Sequence, residues 1–73
     1  MRAYVERQLL AALLEQPGRG GELAERLGLG EMRITQIIER INMMSDATLI
    51  NLIDGQYSLT ELGVAEAREG LMR

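Results

Sequence analysis

Residues 48–63 read TLINLIDGQYSLTELG, and this stretch decides the fold. Apolar residues alternate before and after Asp54-Gly55, which is the pattern of a β-hairpin closed by a two-residue type I′ turn. In that register one face of the hairpin carries four apolar side chains: Ile50, Leu52, Tyr57 and Leu59. A two-stranded hairpin is only marginally stable in water unless another element covers its apolar face. The rest of the chain must therefore supply helices that pack on it.

Length and composition exclude several classes of protein. The chain has 73 residues, which form one domain, 1–73, with a small core. It contains no cysteine and no histidine, so disulfides and the usual zinc sites are excluded. We find no phosphate-binding glycine loop and no acid–base cluster, and we expect no enzyme activity, no cofactor and no metal. Without a membrane-length apolar run or a signal-peptide pattern, we expect a cytoplasmic protein.

Helical periodicity before the hairpin predicts three helices, over residues 3–15, 22–28 and 31–43. Pro17 and Gly18 end the first helix, and residues 19–21 are expected to form a flexible link, with Gly20 or Gly21 capping the second helix. The third helix has one buried stripe: Ile34, Ile37, Ile38 and Ile41.

After the hairpin we expect a last helix over about residues 60–72. Thr60 is a suitable N-cap for it. We expect Leu62 and Ala65 to face inward from this helix. The predicted order is three helices, the hairpin and a C-terminal helix.

Residues 22–43 have the layout of a helix-turn-helix. Ala24 lies four residues before Gly28, and a small residue is needed there because the two helices cross closely. Gly28 permits the positive backbone angle of a tight turn, and Leu29 fills the corner after it. An ordinary pair of antiparallel helices would explain the apolar residues but not their joint register with Ala24 and Gly28.

A helix-turn-helix followed by Leu49-Ile50, Asp54-Gly55 and the run Leu-Thr-Glu-Leu-Gly at 59–63 resembles the winged helix of bacterial MarR, ArsR and PadR regulators. The resemblance covers nearly the whole chain. It implies a mainly α fold with a small β-hairpin, in which residues 48–59 form the wing. It also implies sequence-specific binding of double-stranded DNA by a transcriptional regulator or accessory factor, with helix 31–43 in the major groove.

The residue types on the outward face of helix 31–43 suit contacts to base edges. Arginine reads guanine and glutamine reads adenine, so Arg33 and Gln36, with Thr35 beside them, are the candidate base readers. Phosphate contacts are expected from Arg40 and Arg19. We also include Gln56, at the wing tip. The candidate DNA-binding residues are then Arg19, Arg33, Thr35, Gln36, Arg40 and Gln56. For each arginine the alternative is a solvated side chain.

Charge favours a second interpretation. The net charge is −3, with eight arginines as the basic residues against eleven acids, and the wing tip at 53–56 has no basic residue. DNA-binding domains usually carry a basic face. Met32 and Met43 point outward from the third helix, and exposed methionines suit adaptable protein contacts. The alternative is therefore a winged-helix protein-interaction module that does not bind DNA.

The first helix is apolar over more than one face. Val5, Leu9, Ala12 and Leu13 fill the core positions, which leaves Leu10 and Leu14 displaced around the helix. The last helix can cover them. The other possibility is a homodimer interface that they form with two residues near the C-terminus: Leu71 and Met72.

Overall fold

The computed structural model describes residues 2–71, and the side chains of residues 2–70. The elements follow in the order α1 (Tyr4–Glu15), β1 (Gly18–Arg19), α2 (Gly20–Leu27), α3 (Glu31–Met44), β2 (Ile50–Ile53), β3 (Gln56–Leu59) and α4 (Glu61–Leu71). The fold is a winged helix, mainly α with a small hairpin, as predicted. None of the described helices is long and apolar enough to cross a membrane.

The hairpin has the predicted turn and the predicted register. Asp54 and Gly55 have φ angles of 52° and 76°, which are the two positive values that a type I′ turn requires. Ile53 pairs with Gln56 next to the turn. The expected apolar face is only partly covered, because Leu52 is 58% exposed. It lies one pair from the tip, and the helices cover the base of the hairpin instead.

A third strand, β1, corrects the prediction of a flexible link. Gly18 pairs with Tyr57 and Arg19 with Gln56, so β3 is the central strand of a sheet in the order β1-β3-β2. Helix α2 begins at Gly20, two residues earlier than predicted. Arg19 is the N-cap residue, and its backbone N–H donates to Glu22 Oε1 at 2.8 Å, which fixes the first turn.

The turn between α2 and α3 confirms the helix-turn-helix. Gly28 is the C-cap of α2 and has a φ of 68°. The Leu29 N–H donates to the Ala24 carbonyl at 2.9 Å, which satisfies one of the last carbonyls of the helix. Ala24 is buried where the helices cross, and Leu29 packs partly buried against the core.

The core lies between α1, α2, α3 and the base of the wing. Its buried members come from five elements and the residue before β2: Leu9, Leu10, Leu13, Leu23, Ala24, Ile34, Ile37, Ile38, Ile41, Leu49, Ile50 and Ala67. Leu10 is 2% exposed, so of the two alternatives it follows the first, burial within one chain, and little of its side chain is left for a dimer interface. Leu14 is partly buried against the same core. The Leu71 side chain and Met72 lie outside the described residues, so the dimer interface stays a prediction.

Helix α4 is capped as predicted but rotated from the predicted orientation. The Gly63 N–H donates to Thr60 Oγ1 at 3.0 Å, which confirms Thr60 as a cap. The expectation for Leu62 and Ala65 is wrong, since both are exposed and Gly63 and Ala67 are buried. The reason is a close backbone approach: a Cβ on Gly63 would overlap the carbonyl oxygen of Leu49.

Candidate nucleic-acid interface

The outer face of α3 presents the candidate base-reading side chains. Arg33, Thr35 and Gln36 are exposed, while the four isoleucines of the helix are buried on the opposite side. The Thr35 hydroxyl donates to the Glu31 carbonyl at 3.3 Å, one turn back in the helix. The long polar side chains exposed on the first two turns are Glu31, Arg33 and Gln36.

Arg19 lies at the tip of the wing. Strand β1 pairs it with Gln56, and a Cβ added to Gly55 would come 2.5 Å from Arg19 Nη1. The guanidinium therefore lies against the glycine of the turn. The hairpin has no basic residue of its own at the tip, and the structure supplies one from the strand beside it.

The start of α3 approaches the start of α2. A Cβ on Gly20 would come 3.3 Å from Glu31 Oε1, and one on Gly21 would come 3.8 Å from Glu31 Oε2. Gly20 directly follows Arg19, which lies against the wing tip. Three parts of the fold therefore lie close together around these two residues: the first turn of α2, the first residue of α3 and the wing tip. The Glu31 carboxylate places a negative charge at this junction.

Arg40 has a partner that the sequence did not reveal. Its Nε lies 3.6 Å from Glu6 Oε2 on α1, and the Glu6 side chain is buried. Glu6 Oε1 also accepts the Ala3 backbone N–H at 3.0 Å. The sequence interpretation offered a phosphate contact or a solvated side chain for Arg40, whereas the structure places it beside an acid of another helix. The available signal was that Glu6 falls three residues before Leu9, on the buried stripe of α1.

Asn42 connects α3 to the wing. Its Oδ1 accepts the backbone N–H groups of Leu49 and Ile50 at 3.0 and 3.1 Å, and its Nδ2 donates to the Ile50 carbonyl at 3.0 Å. These three hydrogen bonds fix where the first strand of the hairpin leaves the helix. No periodicity in the sequence marks this role, because Asn42 lies at the edge of the isoleucine stripe.

Three methionines interrupt the polar surface of α3. Met32 is 77% exposed, Met43 is 86% exposed and Met44 is 67% exposed. Two acids of this helix, Glu31 and Glu39, are also exposed, and they oppose the charge of Arg33 and Arg40. Among the described side chains, no group of three acids is close enough to hold a metal ion. The surface is thus of mixed charge with apolar ends.

Comparison with known proteins supports the fold. No family model matches the chain, and no curated protein sequence matches it. The solved structure of Lactococcus lactis ZitR, wild type, is similar over 99% of this chain and 50% of that chain, with a TM-score of 0.82 and 23% identity. Two mutants of ZitR give TM-scores of 0.81 and 0.79 at 23% and 22% identity. They cover 97% and 99% of this chain. The chain spans about half the length of each ZitR structure.

Proposed function

We propose that this chain binds double-stranded DNA in a sequence-specific manner, as a transcriptional regulator or an accessory factor working in the cytoplasm. The observation that carries the proposal is the meeting of three elements around Arg19 and Gly20. In a winged helix these elements are the ones that face DNA: the first turn of α2, the start of α3 and the wing. The similarity to the ZitR fold supports the same assignment.

In this proposal α3 enters the major groove, and side chains near its N-terminal end contact base edges. Arg33 donates two hydrogen bonds to a guanine, Gln36 pairs with an adenine, and Thr35 contacts a neighbouring base or its sugar. Arg19 and Gln56 approach the backbone from the wing, and Arg40 approaches it from the far end of α3. No cofactor takes part.

The small number of cations has a measurable consequence. The logarithm of DNA affinity falls with the logarithm of salt concentration by about 0.9 for each neutralised phosphate. With three arginines on this surface, we expect a shallow slope and a large share of affinity from base contacts. Arg19→Ala should reduce the slope by about one phosphate and leave the preferred sequence unchanged.

The direct test is selection of bound duplexes from random DNA, followed by titration of variants on the selected site. Arg33→Ala should weaken binding by about 1–3 kcal/mol and relax the preference at one base pair. Met43→Ala is the matched control on the same helix and should bind like the wild type. Equal DNA binding by the wild type and by a chain lacking both Arg33 and Gln36 side chains would refute the proposal.

A second candidate function has its own observation, the exposure of Met32 and Met43. If the chain is a protein-interaction module, these two side chains are the contact residues and Arg33 is not needed. In that case Met43→Ala should weaken binding to a co-purifying protein partner, and Arg33→Ala should leave that binding nearly unchanged. Loss of partner binding in Met43→Ala, with no selectable DNA site for the wild type, would favour this function.

The proposal includes a homodimer, because two copies can bind two half-sites. A groove between α1 and α4 is available for a second copy, and its lining includes Tyr4, Arg7, Ala11 and Gly70. Leu14, Leu71 and Met72 are the remaining candidates for the interface, since Leu10 is part of the core. Sedimentation that shows only monomer at high micromolar concentration would rule this assembly out.

A further inference from the structure

Glu6 is a charged residue inside the protein. Among the side chains of residues 2–70 it is the one buried charged group, with 5% of its surface exposed. One oxygen accepts the Ala3 N–H, and the other faces Arg40. A buried carboxylate is costly unless it has compensating partners, so this contact with Arg40 matters to Glu6.

Arg40 contacts a buried acid although most of its own side chain is exposed to solvent. Its side chain is 72% exposed, although its Nε faces the buried carboxylate. The Nε–Oε2 distance of 3.6 Å exceeds hydrogen-bonding range, so the two groups attract each other without a hydrogen bond between them. Arg40 lies seven residues after Arg33, two turns along the same side of α3. In the proposed function it therefore lies on the side of α3 that faces DNA, near the phosphates beside the base that Arg33 contacts.

We propose that Glu6 limits DNA affinity by competing with a backbone phosphate for Arg40. This inference rests on the proposed function. A phosphate can accept two short, charge-assisted hydrogen bonds from a guanidinium, which is better geometry than the 3.6 Å contact with Glu6. Moving Arg40 to a phosphate, however, takes the neighbouring positive charge away from the buried carboxylate, which keeps its hydrogen bond from the Ala3 N–H. DNA binding is weakened by that loss.

The test removes the charge of Glu6 and keeps its shape. In Glu6→Gln the amide oxygen can still accept the Ala3 N–H, and Arg40 is released. Binding is measured by fluorescence anisotropy on a labelled mixed-sequence duplex across a salt series, because phosphate contacts do not require a particular sequence. We expect affinity to rise by about 3- to 10-fold at low salt, because Arg40 no longer has to leave a buried carboxylate when it contacts the phosphate. The salt slope should stay close to that of the wild type, because the number of neutralised phosphates does not change.

Glu39→Gln is the matched control. It removes the same charge from the exposed face of α3, where Glu39 forms no ion pair with a described side chain. Both variants are then repeated in an Arg40→Gln background. The gain from Glu6→Gln should disappear there, while any gain from Glu39→Gln should persist, because only the first depends on Arg40.

The wild type gives an independent readout if Glu6→Gln folds poorly. The ¹³C signal of the Glu6 carboxylate and the ¹⁵N signal of Arg40 Nε should both shift when duplex is added. If neither signal moves, or if Glu6→Gln gains equally with and without Arg40, the competition does not exist although the chain binds DNA. If neither the wild type nor Glu6→Gln binds duplex at low salt, the proposed function fails and this inference fails with it.

Discussion

Gly63 is the position where one methyl group should change stability most clearly. Helix α4 crosses the backbone just before β2, and a Cβ on Gly63 would overlap the Leu49 carbonyl oxygen. The same Cβ would lie 3.0 Å from the Leu49 carbonyl carbon and 3.2 Å from Leu59 Cδ2. Backbone atoms cannot rotate away as a side chain can, so Gly63→Ala must displace α4 from the wing.

Three contributions set the size of the effect. Alanine in place of glycine inside a helix stabilises by about 1 kcal/mol. Overpacking costs about 1–3 kcal/mol, and weakening the hydrogen bond from the Thr60 N–H to the Leu49 carbonyl costs about 1 kcal/mol more. The free energy of unfolding should therefore fall by about 2 kcal/mol. For a domain of this size that lowers the melting temperature by about 10 °C.

Gly70→Ala is the matched control in the same helix. Among the described residues, no atom beyond its chain neighbours and its own helix backbone lies within 4 Å of the added Cβ. Helix propensity is then the main change, and the melting temperature should stay level or rise slightly. Thermal unfolding followed by circular dichroism measures both variants. A melting temperature of Gly63→Ala equal to or above that of the wild type would refute the close approach of α4 to Leu49.

Two further predictions concern the wing. Gly55→Val should lower the free energy of unfolding by about 1 kcal/mol or more, because valine tolerates the φ of 76° poorly. The Arg19 guanidinium must also move aside from the added Cβ. An unchanged chemical-denaturation midpoint would count against the type I′ turn. Asn42→Ala should lower the free energy of unfolding by about 2–3 kcal/mol, because it removes three hydrogen bonds to Leu49 and Ile50. The control Asn51→Ala, at an exposed position, should change it little in the same denaturation experiment. Equal losses in the two variants would contradict the role of Asn42.

Local patterns in the sequence predict much of this fold. The Asp54-Gly55 turn, the positive angle at Gly28 and the cap at Thr60 each depend on the chemistry of a few neighbouring residues, and the structure confirms all three. The register of the hairpin follows from its turn. These features need no knowledge of distant parts of the chain.

The features that the sequence did not reveal depend on distant contacts. Strand β1 has two residues, which is too short to show a period, and it forms because β3 offers it an open edge. The rotation of α4 is set by the Leu49 backbone, which no side-chain pattern records. Arg40 and Glu6 are 34 positions apart in sequence, so their pairing requires the packing of α1 on α3. Candidate base readers follow from the exposed face of α3, and their roles stay predictions.

The direct join between β1 and α2 has a mechanical consequence. Arg19 belongs to the sheet, and Gly20, the next residue, already belongs to the helix, so no hinge separates the two. A displacement of the wing tip is therefore transmitted to the first turn of α2, and a tilt of α2 moves the wing. Strand β1 and helix α2 therefore move as one rigid unit. We expect the wing tip and the first turn of α2 to open in one cooperative step rather than separately.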